Sequence, residues 1–271
     1  MIGRRDRFLG LLGTRSIIMG ILNVTPDSFS DGGRFFSLDA AAAQAKKLAE
    51  DGADIIDVGA ESTRPGHTPV SVEEELARLE PILGKLTRSL DTPFSIDTSK
   101  AKVARRATEL GASVINDVWG FQKDPAMADT VAETGVAAVL MHNRDGADPD
   151  LDIIADMRRF FDRSLRLAAD ASIPPARLIL DPGIGFGKSR AQNFIALANL
   201  AAFKDYGLPI LIGVSRKSLL AEPGTDPVDR SVVRTLAANL AAAANGASIF
   251  RVHDVAEHAA AFKVFDAIAR H

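Results

Sequence analysis

The sequence predicts an α/β fold, a (β/α)8 TIM barrel, on three observations. Eight short runs of β-branched and aliphatic residues recur along the chain, segments of helical periodicity separate them, and nearly every run ends on a polar side chain. Eight strand–helix units about 30 residues apart have the size and number that close a barrel. At 271 residues the chain is long enough for two domains, yet no proline- or serine-rich linker divides it. Residues 1–271 are therefore read as a single barrel domain.

The strand runs are residues 17–19, 55–58, 94–97, 114–116, 138–141, 178–181, 210–213 and 249–252. Each is almost continuously apolar, as parallel strands covered on both faces require. Helix punctuation lies between them. Ser71 with Glu74 forms a capping box ahead of the stripe Val72, Leu76, Leu79 and Leu83. Asp124-Pro125 reads as an N-cap and first-turn pair for a helix ending near Gly135, and Asp254 with Glu257 repeats the box before Phe262 and Phe265. Gly52, Gly111 and Gly246 stand where left-handed helix ends are wanted. A doubly wound open sheet is the rival architecture, but its G-x-G-x-x-G turn is missing after the first strand, which reads Gly20-Ile21-Leu22-Asn23.

Composition removes several classes of function. A formal net charge of −3 leaves no basic excess for nucleic acid. No apolar run approaches the roughly 20 residues of a membrane span, and residues 1–13 lack the apolar region of a signal peptide, so the expectation is a cytoplasmic protein. With no cysteine, disulfides and thiolate metal sites are excluded.

The strand ends carry the chemistry. In order they offer Asn23, Asp57 with Glu61, Asp97, Asn116, His142, Asp181, Lys217, and Arg251 with His253. A barrel gathers such ends at one mouth. Asp181, in Leu-Asp-Pro-Gly, can accept two parallel hydrogen bonds from a ring N–H beside an exocyclic amine. Asn116 both donates and accepts along a neighbouring ring edge, and Asp97 answers positive charge or a further ring N–H. Lys217 can donate to a ring carbonyl or nitrogen, and Arg251 can stack on the ring or clamp phosphate. The run Ser215-Arg216-Lys217-Ser218 and Arg251-Val252-His253 set cationic and hydroxyl donors side by side for an anionic leaving group. Asn23, Thr25 and Ser28 offer hard oxygen ligands for Mg2+ bound through phosphate. Two long segments, 23–36 and 60–69, read as binding loops that order around ligand.

Plainer readings stand beside these. Asp97 could cap a helix starting near Ser99, and Asp254 reads better as a cap than as an acid. Gly183, Gly185 and Gly187 are a phosphate cradle or simply a tight turn. His142 divides between ligand contact and a satisfied surface group, while His253 leans towards function. Glu61 could orient Arg64, Lys217 could be a Schiff-base lysine, and Trp119 with Phe121 reads as loop packing before ring stacking.

The stretch Met19-Gly20-Ile21-Leu22-Asn23-Val24-Thr25-Pro26-Asp27-Ser28-Phe29-Ser30-Asp31-Gly32-Gly33 resembles the first signature of the dihydropteroate synthases, and Asp57-Val58-Gly59 through Glu61-Ser62-Thr63-Arg64-Pro65-Gly66 resembles the second. The likeness continues through Ile96-Asp97-Thr98, Asn116-Asp117, Asp181-Pro182-Gly183-Ile184-Gly185-Phe186-Gly187-Lys188, Ser215-Arg216-Lys217-Ser218 and Arg251-Val252-His253-Asp254. The resemblance implies condensation of 7,8-dihydropterin-6-ylmethyl diphosphate with 4-aminobenzoate, with Mg2+ as cofactor, in folate biosynthesis. It places Asp97, Asn116, Asp181, Lys217 and Arg251 around the pterin, with Asp97, Lys217 and Arg251 catalytic. It assigns Asn23, Arg64, Arg251 and His253 to the diphosphate, with Asn23 on the metal. Thr63, Pro65, Phe186, Lys217 and Ser218 then border the aminobenzoate. It further implies sulfonamide inhibition and a homodimer. His67 and Arg234 depart from the pattern, Arg234 on a helix that often forms the dimer contact. Two alternatives remain: a pterin-dependent methyltransferase, whose barrel shares the aspartate–asparagine–aspartate cradle, and a pterin-binding paralogue without catalysis.

Overall fold

The computed structural model describes residues 3–24, 34–61, 70–221 and 231–269, of which 34–37 and 231 are described by backbone alone. Eight parallel strands are present where the apolar runs predict them: β1 (Ile17–Asn23), β2 (Ile55–Gly59), β3 (Phe94–Asp97), β4 (Val114–Asp117), β5 (Ala137–Met141), β6 (Leu178–Asp181), β7 (Leu211–Ile212) and β8 (Ile249–Val252). The sheet runs β6-β5-β4-β3-β2-β1-β8-β7. A parallel bridge between Leu180 and Ile210 joins β6 to β7, and Leu180 N–H donates to Pro209 O at 2.9 Å. The barrel is thereby closed.

The α-helices among the described residues are α1 (Arg4–Leu9), α2 (Arg34–Glu50), α3 (Val72–Ser89), α4 (Ala101–Glu109), α5 (Met127–Thr134), α6 (Ile153–Asp170), α7 (Arg190–Ala198), α8 (Ser231–Ala244) and α9 (Val255–Ala269). Because α2 starts at Arg34, the first long segment is shorter than the expected 23–36. Capping follows the sequence signals only in part. Ser71 accepts the Glu74 N–H at 3.1 Å, but the Glu74 carboxylate turns to Arg78, one helical turn on, so only half of the box forms. Asp124 sits before α5, where its carboxylate takes the Ala126 N–H at 3.0 Å and also the Ala101 N–H at 2.8 Å, which opens α4. That second bond makes an Asp97 cap unnecessary. A reciprocal capping box does form between Ser189 and Gln192 at the start of α7, a Ser-x-x-Gln signal that the sequence reading passes over.

Strand parity divides the apolar side chains into two cores. Outward residues such as Ile18, Ile56, Ile96, Ile115, Leu140, Leu180 and Phe250 pack against the helices. Inward residues Ile17, Met19, Ile55, Val114, Val139, Ile179, Leu211 and Ile249 fill the lower barrel, with Phe8 of α1 among them, fully buried. Helix α1 is thus a plug at the N-terminal face. Arg4 secures it by donating to Thr87 O at 2.9 Å, and Arg5 donates to Gly135 O at the end of α5.

Candidate active site

One pleat further along the same strands, the inward positions become polar. Asp57 lies two residues past Ile55, Asp97 two past Ser95, Asn116 two past Val114, Asp181 two past Ile179 and Arg251 two past Ile249. Strand register seats Asp97 beside Asn116 and Gly59, and Met141 beside Asp181. Five scattered residues therefore share one rim.

Asp57 is the hub of that rim. Its carboxylate accepts from Ser95 Oγ at 2.6 Å, from Arg251 Nε at 2.6 Å and from Asn116 Nδ2 at 3.2 Å. Arg251 reaches on to Asp97 Oδ2 at 2.9 Å. An ionised carboxylate only accepts, so Asn116 must present its NH2 to Asp57 and turn its carbonyl oxygen away. That Oδ1, and Oδ1 of Asp97, have no hydrogen-bond partner among the described residues, and the two residues are only 3% and 5% exposed. Asp181 is equally enclosed, and Gly183 N–H holds its Oδ1 at 2.7 Å. Burial raises the pKa of Asp97, with Arg251 opposing and Asp57 reinforcing, and it raises that of Asp181 against the Gly183 hydrogen bond. A cradle of acceptors asks for a ligand edge of N–H donors.

Lys217 supplies the complementary donor. Its half-buried ammonium donates to Ile184 O and lies 4.5 Å from the centre of the Phe186 ring. Burial pulls its pKa down to about 8, with Asp181 opposing that fall and Arg251 adding to it. The structure therefore brings Lys217, Asp181 and Phe186 together. Ser218 is exposed in the short 3-10 turn Ser218–Leu220 that follows. The expectation of one donor strip from 215 to 218 is corrected. Arg216 pairs with Asp254, Ser215 Oγ sits 2.9 Å from His253 Nδ1 while accepting the His253 N–H at 3.1 Å, and Lys217 points to the β6 loop. Adjacent residues in a turn, here with Arg216 at φ 56°, diverge where strand neighbours would align. Asp254 stands immediately before α9, where its backbone oxygen accepts the His258 N–H at 3.3 Å, and its carboxylate is the partner of Arg216.

The glycines after β6 form a turn, and two of them are demanded by packing. A Cβ on Gly183 would lie 1.9 Å from His142 O, and one on Gly187 would lie 2.4 Å from Arg144 Cβ. Their φ values of 63° and 54° are left-handed as well. His142 faces outward from β5 and is fully buried, with Nε2 3.2 Å from Asp156 and its ring edge-on to Phe160 at 5.0 Å. It is a structural link between β5 and α6, neither a ligand group nor a surface residue. Phe121 is loop packing, as expected: it is buried, and its N–H and that of Trp119 both donate to Asp117.

Hard oxygen chemistry is also present at the rim. Asn23 Oδ1 and Asp97 Oδ2 flank Gly59, at 3.7 and 3.9 Å from where a Cβ would stand on it. Among the described residues no group of three or more His, Asp or Glu could hold a metal alone. This donor set fits Mg2+ carried largely by substrate phosphates, with one or two protein oxygens. Thr25, Ser28, Thr63, Arg64, Pro65 and His67 lie outside the described residues. Glu61 accepts from Lys100, which also pairs with the buried Glu75 at 2.6 Å. Sequence reasoning gave neither Asp57 nor Ser95 a role of its own. The two-residue step from Ile55 to Asp57 is the signal that could have found the hub.

Residues 19–253 match the model of a family described as pterin binding enzymes, and the chain belongs to that family. Its similarity is to the dihydropteroate synthases in particular. It is 47% identical over 260 residues to the dihydropteroate synthase of Clostridium beijerinckii, covering 96% of both chains. The Clostridium difficile dihydropteroate synthase, solved in the presence of pteroic acid, superposes with a TM-score of 0.92 at 46% identity, over 96% of this chain and 98% of that one. The Yersinia pestis dihydropteroate synthase, solved with a sulfonamide drug complex, gives a TM-score of 0.87 at 40% identity, over 95% and 96%. No helix among the described residues is long and apolar enough to cross a membrane.

Proposed function

We propose that the chain works as a dihydropteroate synthase, a transferase of folate biosynthesis that joins 7,8-dihydropterin-6-ylmethyl diphosphate to 4-aminobenzoate and releases pyrophosphate. The observation that carries this reading is the set of buried acceptors on Asp97, Asn116 and Asp181 opposite the ammonium of Lys217. An aminopyrimidine edge offers N–H donors to the acceptors, and the ring's oxygen or nitrogen on its other flank suits Lys217.

The reaction breaks the bond between the pterin methylene carbon and the diphosphate oxygen, and the electron pair leaves with the oxygen. Asp97, beside the ring, stabilises the positive charge left on the pterin-methyl carbon. Arg251, already bridging Asp57 and Asp97, stacks on or braces the ring and meets the departing diphosphate together with His253 and Arg64. The aminobenzoate nitrogen then forms the C–N bond and gives up its proton. An arylamine lone pair is nucleophilic enough to need no strong base. Phe186, Lys217, Ser218, Thr63 and Pro65 border the aminobenzoate, and a closed site keeps water from the cation. Mg2+, when bound, neutralises charge on the diphosphate, and Asn23 is the residue that would hold it.

A cytoplasmic homodimer completes the proposal. The candidate contact is the apolar groove of Phe194, Leu197, Leu220, Arg234 and Ala238 between α7 and α8, with Phe194 and Val233 exposed beside it; sedimentation as a monomer at micromolar concentration contradicts it. The function is tested by pyrophosphate release from the pterin diphosphate. Release that depends on 4-aminobenzoate and Mg2+, and that sulfonamides block in competition with 4-aminobenzoate, is expected. Binding without release favours an inactive paralogue, and methyl transfer to a corrinoid partner favours a methyltransferase.

A further inference from the structure

Lys188 is a buried cation that the substrate chemistry leaves unused. It is only 9% exposed, and its ammonium donates to Gly183 O at 2.8 Å and Phe186 O at 2.9 Å, with His142 O at 3.4 Å. These partners are carbonyl oxygens rather than a carboxylate. A charge held this way is costly to bury, and burial draws its pKa down to about 7. The two nearer carbonyls bracket Ile184, whose own carbonyl receives Lys217, and the Phe186 ring lies against the same ammonium. At the other end of the turn, Gly183 N–H holds Asp181. From α7, Asn193 Oδ1 accepts the Gly185 N–H at 2.6 Å and steadies the middle. One ammonium thus ties together the segment on which both Asp181 and Lys217 depend.

We propose that Lys188 is a positioning residue. By holding the carbonyls of Gly183 and Phe186 it fixes the Ile184 carbonyl and Phe186 ring that seat Lys217, and with them the placement of Lys217 relative to Asp181. The proposal rests on the reading of Asp181 and Lys217 as pterin-binding groups. Lys188 itself touches no substrate.

The test is a double-mutant cycle on the full chain. Binding of the pterin diphosphate is measured for Lys188→Met, Lys217→Ala and the double variant, and amide hydrogen exchange across residues 183–187 is followed in the ligand-free proteins. Lys188→Met is expected to weaken pterin binding about tenfold or more and to speed exchange in the turn, while the double variant binds no worse than Lys217→Ala alone. A residue that only stabilises the fold would leave the affinity of the folded protein unchanged, and one acting independently of Lys217 would give additive losses. Full affinity in Lys188→Met, additive losses, or unchanged exchange in the turn each overturn the proposal. Should methionine prevent folding, Lys188→Gln keeps a neutral donor and is read in the same way, with a smaller expected effect. Failure of the wider functional reading shows separately, as wild-type protein that binds no pterin.

Discussion

The lower and upper halves of the barrel interior are built from the same strands, one pleat apart, and they do opposite work. Below, the apolar side chains of Ile17, Met19, Ile55, Val114, Val139, Ile179, Leu211 and Ile249 close around Phe8. Above, Asp57, Asp97, Asn116 and Asp181 are nearly as buried, with Arg251 partly exposed among them, yet two of their oxygens lack partners among the described residues. An apolar layer stabilises by burial and tight packing. A polar layer with unpaired acceptors costs stability until a ligand supplies the missing donors. The comparison teaches that the lower half keeps the barrel folded and the upper half holds a strained demand for one kind of ligand.

Asp181→Asn breaks the upper half hardest. The amide sets N–H donors against a ligand edge made of donors, and kcat/KM should fall by about 10³-fold or more, while thermal unfolding moves little or even rises as a buried charge is removed. Steady-state kinetics beside a melting curve checks both halves of that statement, and a large loss of Tm with intact kcat/KM refutes it. Phe8→Ala is the mirror experiment. Emptying the plug should cost about 3–5 kcal/mol of stability in denaturant titration, with kcat of the folded enzyme changed less than about twofold; a comparable loss of turnover would show that the two halves are not separable.

The smallest expected effect is in pH, where stability and binding respond with opposite signs. Burial lowers Lys217 to about 8 from the ordinary lysine value of 10.5, so between those values the unfolded chain binds more protons than the folded one. In that window the contribution of this group to stability rises with pH. Pterin binding needs the ammonium, so affinity should fall through the same range, by about tenfold per pH unit at most. Lys217→Met should flatten the binding profile above pH 8; an unchanged profile would remove Lys217 from the pterin.

Much of this architecture is legible in the sequence. Apolar runs located all eight strands because parallel strands are hydrophobic on both faces, and strand-end positions gave Asp97, Asn116, Asp181 and Arg251 as a group. What escaped depends on pairing across the barrel. Asp57 becomes a hub only when Ser95, Asn116 and Arg251 converge on it from β3, β4 and β8. Lys188 reads as an ordinary basic residue after a glycine turn until its three carbonyls are seen. His142 follows an inward methionine, so parity turns it away from the mouth that its strand-end position suggested. Arg4, Arg5 and Phe8 read as a first turn, since nothing local says that Phe8 ends inside a barrel.

The most direct test of the account is a crystal structure of this chain with a pterin bound. The account predicts ring and exocyclic N–H donors at about 2.7–3.2 Å from Asp97 Oδ1 and Asn116 Oδ1, with Asp181 on the aminopyrimidine edge and Lys217 on the opposite flank. A pterin seated elsewhere, or one that leaves those two oxygens without a partner, would contradict it.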